Sequence, residues 1–340
     1  MRPTSRGRTV AVAVAALVLV LVVLLGLVAT PAQADNGLRI EAQSSYDVQA
    51  AGAVKITATI NLLNTTVDVP GPLARRLFFS SLNVPVPAEA TNVAAVSQGA
   101  PPPVSLATIN QFISQATISF PNLFSRQSQT VTLSYEIAAG KPRSDGVVRA
   151  HGAYVSFLAL AFGDTGLASV KITVPAAFQA ETVGTAVTES QAGDLKTFTA
   201  SAIADVANFG VVLSARNDAA LKRRDADVGD RDLLVMSWPN DPEWEAFAAK
   251  TIAQGVPALE ALVGQPWPVK GQLKVIEAVT PYLRGYSGWF SPSTNTIEIG
   301  ERLDAESMLH ELAHAGSTAT CSSTDGSTKP SPRSMRARHW

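Results

Sequence analysis

Thr294-Asn295-Thr296-Ile297-Glu298-Ile299-Gly300, then Asp304, then Ser307-Met308-Leu309-His310-Glu311-Leu312-Ala313-His314-Ala315, is the stretch on which the fold turns. Its first part alternates β-formers with polar residues and stops at a glycine, which predicts a strand. Asp304 is an N-cap candidate, and the run behind it predicts a helix. Within that helix His310-Glu311-Leu312-Ala313-His314 reads H-E-x-x-H. Residues i and i+4 lie one turn apart on one helix face, so two imidazoles there can bind one metal ion. Glu311, beside the first histidine, is placed to reach a water in an open coordination position. The bland alternative is a pair of histidines on an ordinary helix. Against it stands scarcity: the chain has 4 histidines, and two are here. The motif's neighbours are apolar and small where an exposed helix would carry charge, so a buried helix is expected.

Upstream, Tyr282 to Pro292 reads as an aromatic, glycine-bearing loop and Gln272 to Val279 as another strand. Asp241-Pro242-Glu243 has the form of a helix start: a capping side chain, proline at the first position, an early acid. That helix is expected to run to about Val263 and stop at Gly264, before Pro266. Leu233 to Met236 is a short apolar strand. The order strand, helix, strand, strand, helix over 233–316 is the first half of an α+β domain. Residues 217–232 crowd Lys222, Arg223, Arg224, Asp225, Asp227, Asp230 and Arg231 together and are expected to form a solvated, charged linker.

Residues 35–216 read differently. Val54 to Ile60, Val131 to Ile137 and Val170 to Val174 alternate apolar with polar, and Leu195 to Phe198 and Phe209 to Leu213 add further strands. Pro70-Gly71-Pro72, Pro101-Pro102-Pro103, Gly140-Lys141-Pro142 and Gly163-Asp164 supply the turns. The expectation is a β-rich domain, a sandwich or a saddle-like sheet, with no helix and no internal repeat.

The first residues look like a targeting segment. Arg2, Arg6 and Arg8 precede an Ala/Val/Leu run from Val10 to Val28, and Ala32-Gln33-Ala34 offers a small-x-small cleavage site. Residues 1–34 are expected to be a signal peptide; an uncleaved signal anchor, with residues 10–29 in the bilayer, is the rival. Either places the rest outside the cytoplasm, in the envelope or medium. A net charge of −1 gives no case for nucleic-acid binding. The single cysteine, Cys321, allows no intrachain disulfide, so the core must hold the fold.

A catalytic zinc site has three protein ligands, and the sequence offers weak candidates for the third. Cys321, Asp325 and His339 lie in a Ser/Thr-rich basic tail, residues 317–340, expected to be disordered. The H-E-x-x-H-x-x-G-x-x-H extension is excluded by Ser317 and Thr320. Glu298, on the presumed edge strand, faces either a substrate cleft or water, with water preferred. Tyr286 and Trp289 are as readily a lid over a small core as the lining of a pocket.

With strand, cap and H-E-L-A-H in place, Thr294 to Ala315 resembles the gluzincin superfamily of zinc metallopeptidases. It is most similar to peptidase MA-like domains and to the thermolysin-like catalytic domain of aminopeptidase N-type enzymes. A β-rich domain ahead of that domain is also a feature of the aminopeptidase N family. The specific match is confined to this stretch, and the domain order covers the rest loosely. The resemblance implies Zn2+ on His310 and His314, Glu311 as general base, and peptide or protein as substrate. It implies metal-assisted hydrolysis, with a substrate strand pairing along Thr294 to Ile299. The family's third ligand, a Glu on the following helix in a W-x-N-E-x-F-A context, has no matching position. Nor does the G-A-M-E-N element that anchors a substrate amino terminus; Gly285-Tyr286-Ser287-Gly288-Trp289 stands in its neighbourhood.

The tail carries one more expectation. Back-translated with permitted codons and read one base earlier, residues after Ala315 give W-F-N-G-D-L-F-V-D-R-W-I-N-E-A-F-A, which looks like the gluzincin continuation. The chain is therefore expected to be a frameshifted or truncated form of a longer peptidase, impaired in activity. The contrasting reading is an exported β-sandwich binding or structural module with a non-catalytic zincin remnant.

Overall fold

The computed structural model describes residues 37–68, 76–138, 140–143, 148–280 and 282–317. The expected leader, the Pro70-Gly71-Pro72 turn and the tail with Cys321, Asp325 and His339 lie outside them. No helix among the described residues is long and apolar enough to cross a membrane.

Residues 38–216 form β1 (Leu38–Val48), β2 (Val54–Asn64), β3 (Phe78–Pro87), β4 (Ala90–Ser97), β5 (Val104–Thr108), β6 (Ile113–Phe124) and β7 (Ser128–Ile137). β8 (Arg149–His151), β9 (Tyr154–Leu160), β10 (Ala168–Pro175), β11 (Gln179–Gly184), β12 (Thr188–Ala192), β13 (Leu195–Ala200) and β14 (Gly210–Arg216) follow. They make a seven-stranded sheet in the order β12-β13-β10-β1-β2-β7-β4, a four-stranded sheet β11-β14-β9-β8 and a three-stranded sheet β3-β6-β5. The expected β-rich domain is there. Its cause is visible in β1, where Leu38, Ile40, Ala42, Ser44, Tyr46 and Val48 all point inward. A period of two on a pleated strand puts every second side chain on one face, and burying that face drives the pairing. One apolar core takes side chains from all three sheets. Tyr46 of β1 stacks on Phe157 of β9, ring centroids 5.7 Å apart, and its hydroxyl donates to the Leu160 carbonyl at 3.0 Å.

The second unit holds β15 (Lys222–Asp225), β16 (Leu233–Ser237), α1 (Pro242–Val263), β17 (Leu273–Ala278), β18 (Gly288–Ser291), β19 (Thr296–Gly300) and α2 (Ala305–Ser317). Its sheet runs β15-β16-β17-β19-β18. β16, β17 and β19 are parallel; β15 and β18 close the edges antiparallel. Residues 217–232 are thus not the solvated linker expected. Lys222–Asp225 pairs with Ser237–Leu234, and Ala226 and Val228 are buried in the helix-side core. All four β15 side chains are exposed, which is why an edge strand reads as linker in the sequence.

Both helices start as the sequence expects. Asp241 Oδ1 accepts from the Trp244 N–H at 3.0 Å with Pro242 behind it, and the helix ends at Gly264 in the left-handed region. Asp304 Oδ1 accepts from Glu306 N at 3.0 Å, and its Oδ2 takes the Ser307 hydroxyl at 2.7 Å. Helix α2 lies close on α1 at Gly255, where an added Cβ would stand 2.3 Å from Leu309 Cδ2. Trp244, Ile252 and Val256 of α1, Val275 of β17, Ile297 and Ile299 of β19, and Met308 and Leu312 of α2 share this core.

The opposite face of the sheet meets the β domain through Tyr154, Leu221, Met236, Trp238, Ile276 and Val279. Arginine–acid bridges cross the seam. Arg149 Nη2 reaches Glu301 at 3.0 Å, Arg216 Nη1 reaches Glu298 at 2.7 Å, and Arg284 Nη2 reaches Glu181 at 2.7 Å. Arg143 holds both Asp241 and Glu243.

Candidate metal centre

Helix α2 is half-buried rather than buried as expected. Met308, Glu311, Leu312 and Ala315 face the core, while His310, Ala313 and His314 are exposed. The reason is helical spacing: 308, 312 and 315 lie on one face, and the two histidines sit well away from it. The small residues around the motif reflect close helix contact on one side only.

On the exposed face the two imidazoles converge. His310 Nε2 and His314 Nε2 are 3.0 Å apart, with the rings at 88° and their centroids 4.6 Å apart. A carboxylate oxygen of Glu311 completes a group whose ligand atoms all lie within 4.8 Å of one another. Two nitrogens each about 2.0–2.1 Å from one tetrahedral ion stand roughly 3.3 Å apart, so the pair fits a zinc ion with a small adjustment. Imidazole nitrogens at this separation otherwise need a proton between their lone pairs. Glu311 is 8% exposed, and it accepts no hydrogen bond from the described residues. Its carboxylate lies in the helix-facing packing beside the two histidines.

Strand β18 frames the site. Gly288 pairs with Ile299, and a Cβ added there would lie 2.6 Å from Ile299 Cδ1, 2.8 Å from the Glu298 carbonyl and 3.2 Å from Glu311 Cγ. Only a residue without a side chain lets this strand lie against the motif helix. The expectation that Thr294 to Ile299 is the exposed edge is overturned. β19 is flanked by β17 and β18, so the outer edge next to α2 belongs to Gly288–Ser291.

Glu298 does not face water either. It is 7% exposed and ion-paired with Arg216 from the β domain. Burial, then Glu298, pushes the Tyr282 hydroxyl up to about 12. Trp289 leans against Tyr282, ring centroids 5.3 Å apart, and both line an open groove of about 550 Å³ with Glu298, on the β-domain side of the sheet. Tyr286 is exposed. Sequence reasoning missed the arginines at 143, 149 and 216, because each pairs with an acid far along the chain and no local pattern marks it.

No family model matches the chain, and no curated protein matches it. Among solved structures it is similar to an M1 zinc metallopeptidase from Deinococcus radiodurans, at 15% identity and a TM-score of 0.32, covering 83% of this chain and 64% of that one. A mutant of an M1 zinc metallopeptidase from Deinococcus radiodurans bound to a Tyr-Ser-Ala substrate is similar at 16% identity and a TM-score of 0.31, covering 82% and 64%. A two-domain M1 zinc metallopeptidase mutant bound to L-tryptophan is similar at 15% identity and a TM-score of 0.32, covering 83% and 65%. The chain spans less than two thirds of the length of these structures, and a likeness this low carries neither fold nor function across.

Proposed function

We propose that this chain is an exported zinc metallopeptidase of the gluzincin kind, hydrolysing peptide bonds, with His310 and His314 as metal ligands and Glu311 as general base. The observation that carries the reading is the convergence of the two Nε2 atoms at 3.0 Å with the Glu311 carboxylate beside them on one capped helix. Export rests on the leader at residues 1–34. His310 and His314 would hold a zinc ion, which would supply Lewis acidity to a bound water and to the substrate carbonyl. Glu311 takes the proton from the attacking water and returns it to the departing amine. The free edge of β18 offers an extended substrate main-chain hydrogen bonds alongside α2. Gly288, having no Cβ, lets β18 lie close against Glu311 of the helix.

A second reading has its own observation. Among the described residues two histidines, and no third ligand, are grouped with Glu311. On that ground the chain is a binding or structural module with a non-catalytic metal helix.

Equilibrium dialysis against zinc, followed by hydrolysis of a mixed peptide set, separates the two. The peptidase reading expects zinc binding that His310→Ala abolishes. It also expects turnover that Glu311→Gln lowers by about 10²–10⁴-fold while metal stays bound. Stoichiometric zinc retained by His310→Ala overturns the ligand assignment. Zinc binding without hydrolysis favours the second reading.

A further inference from the structure

Between the β domain and the five-stranded sheet lies a cavity of about 260 Å³. Tyr154, Trp238 and Tyr282 form aromatic walls, and Glu277, Lys196 and Arg216 are among its charged linings. It is separate from the histidine pair: Tyr154, Trp238, Val279 and Tyr282 belong to the seam cluster, not to the core under α2.

Most of the charge there is already committed. Arg216 serves Glu298 and Asp218, Glu181 serves Arg284, and Lys196 donates to the Phe178 carbonyl at 3.1 Å. Glu277 is the exception. It is 0% exposed, its Oε2 accepts from the Trp238 N–H at 2.8 Å, and no donor among the described residues reaches its Oε1, which has the Asp241 carboxyl beside it to share its proton. The indole Nε1 of Trp238, also 0% exposed, has none either. The groups that face Glu277 are Asp241 at the start of α1, Arg143 from the preceding β-domain loop, and Tyr154 on β9. Arg143 is bound to Asp241 and Glu243, so it does not neutralise Glu277. Burying an acceptor without a donor is costly, and an aromatic wall attracts cations.

We propose that this cavity binds a small organic cation, a primary ammonium on an apolar body, with Glu277 as its counter-ion and the seam aromatics around its body. Burial first, and Asp241 after it, hold the Glu277 carboxyl protonated, its pKa pushed up to about 10. The incoming ammonium reverses that balance. The carboxyl releases its proton to solvent and stays as carboxylate beside the ammonium; no bond to carbon forms or breaks.

Titration calorimetry with benzylamine near neutral pH, in two buffers of different ionisation enthalpy, tests this. The expected result is saturable binding with release of about one proton per ligand. Benzyl alcohol, the same body without charge, should bind at least about tenfold more weakly, and so should benzylamine to Glu277→Gln. That variant is isosteric with the protonated acid and should melt no lower than the parent. Ala180→Leu, filling the cavity from β11, should block binding by a second route. His310→Ala should bind benzylamine unchanged. The proposal is overturned by no benzylamine binding, by equal binding of benzyl alcohol, by undiminished binding to Glu277→Gln, or by loss of binding in His310→Ala.

Discussion

The β domain and the helix-bearing unit bury charge very differently. Among the described residues of 38–216 the buried charged residues are Arg149 and Asp164; the other buried polar side chains there are Ser44, Asn64, Ser97, Ser114, Gln129, Ser156 and Ser214. Within 233–316, less than half as long, five acids are buried: Asp241, Glu277, Glu298, Glu301 and Glu311. Four of these have donors. Asp241 caps α1 and holds Arg143, Glu277 takes the Trp238 N–H, Glu298 takes Arg216, and Glu301 takes Arg149 and the Thr280 N–H at 2.9 Å. Glu311 has none among the described residues, and two imidazoles stand beside it. The sheet domain closes mainly by apolar burial, whereas the second unit carries several carboxylates that need answering. Three of the answers are arginines lent by the first.

That dependence is most easily broken at Arg149, which is 6% exposed. Arg149→Ala leaves Glu301 buried without its cation, and the cost of breaking such a pair is about 3–5 kcal/mol. Thermal melting should fall accordingly, and Arg149→Met combined with Glu301→Gln should recover most of the loss. A melting curve unchanged in the single variant would mean that the seam does not hold the second unit.

Glu277 sharpens the comparison through pH. Its folded pKa lies above the value of an exposed glutamate, so the native state keeps a proton that the unfolded chain gives up. The associated stability is complete below the ordinary glutamate pKa of about 4.3 and is lost as pH rises towards about 10. Glu277→Gln removes this loss. Its stability gain over the parent should therefore grow from pH 5 to pH 8, by at most about 1.4 kcal/mol per pH unit. Paired denaturant titrations at the two pH values decide; a gain that is flat or shrinks with pH means Glu277 is already ionised in the fold.

The same contrast explains what could be read from sequence. β2, β7 and β10 were legible because one wet face and one dry face impose a period of two. Both helix starts were legible because Asp241 and Asp304 act within three residues of themselves. The histidine pair was legible because its geometry follows from helical spacing alone. Strand β15 was not, since Lys222, Arg223, Arg224 and Asp225 all face solvent and carry no alternation. The position of Glu298 was not, because Arg216 lies 82 residues away and only the docking of the two units brings them together. The place of β19 inside the sheet was hidden for a related reason: β18 crosses to its outer side through a loop whose aromatic content suggested a lid.

A smaller effect is expected at Gly288. Alanine there must displace the Glu298 carbonyl or the Ile299 and Glu311 side chains, and overpacking of this kind costs about 1–3 kcal/mol. The loss should come with a changed setting of Glu311 against β18, so zinc affinity should hold better than peptide turnover. Equal loss of both would place the defect in the helix rather than in the edge.

The smallest expected effect is at the cap of the motif helix. Asp304→Ala removes the acceptor for Glu306 N and Ser307 N and the partner of the Ser307 hydroxyl. Loss of such a cap costs about 1 kcal/mol. The helix keeps Met308, Leu312 and Ala315 in the core, all 0% exposed, so it should fray at its first turn and not detach. Amide exchange should then accelerate at 305–308 and remain slow from Leu309 to Ala315. Exchange that accelerates equally across both segments would show that the histidine face is held by its cap, and that the core beneath it contributes little.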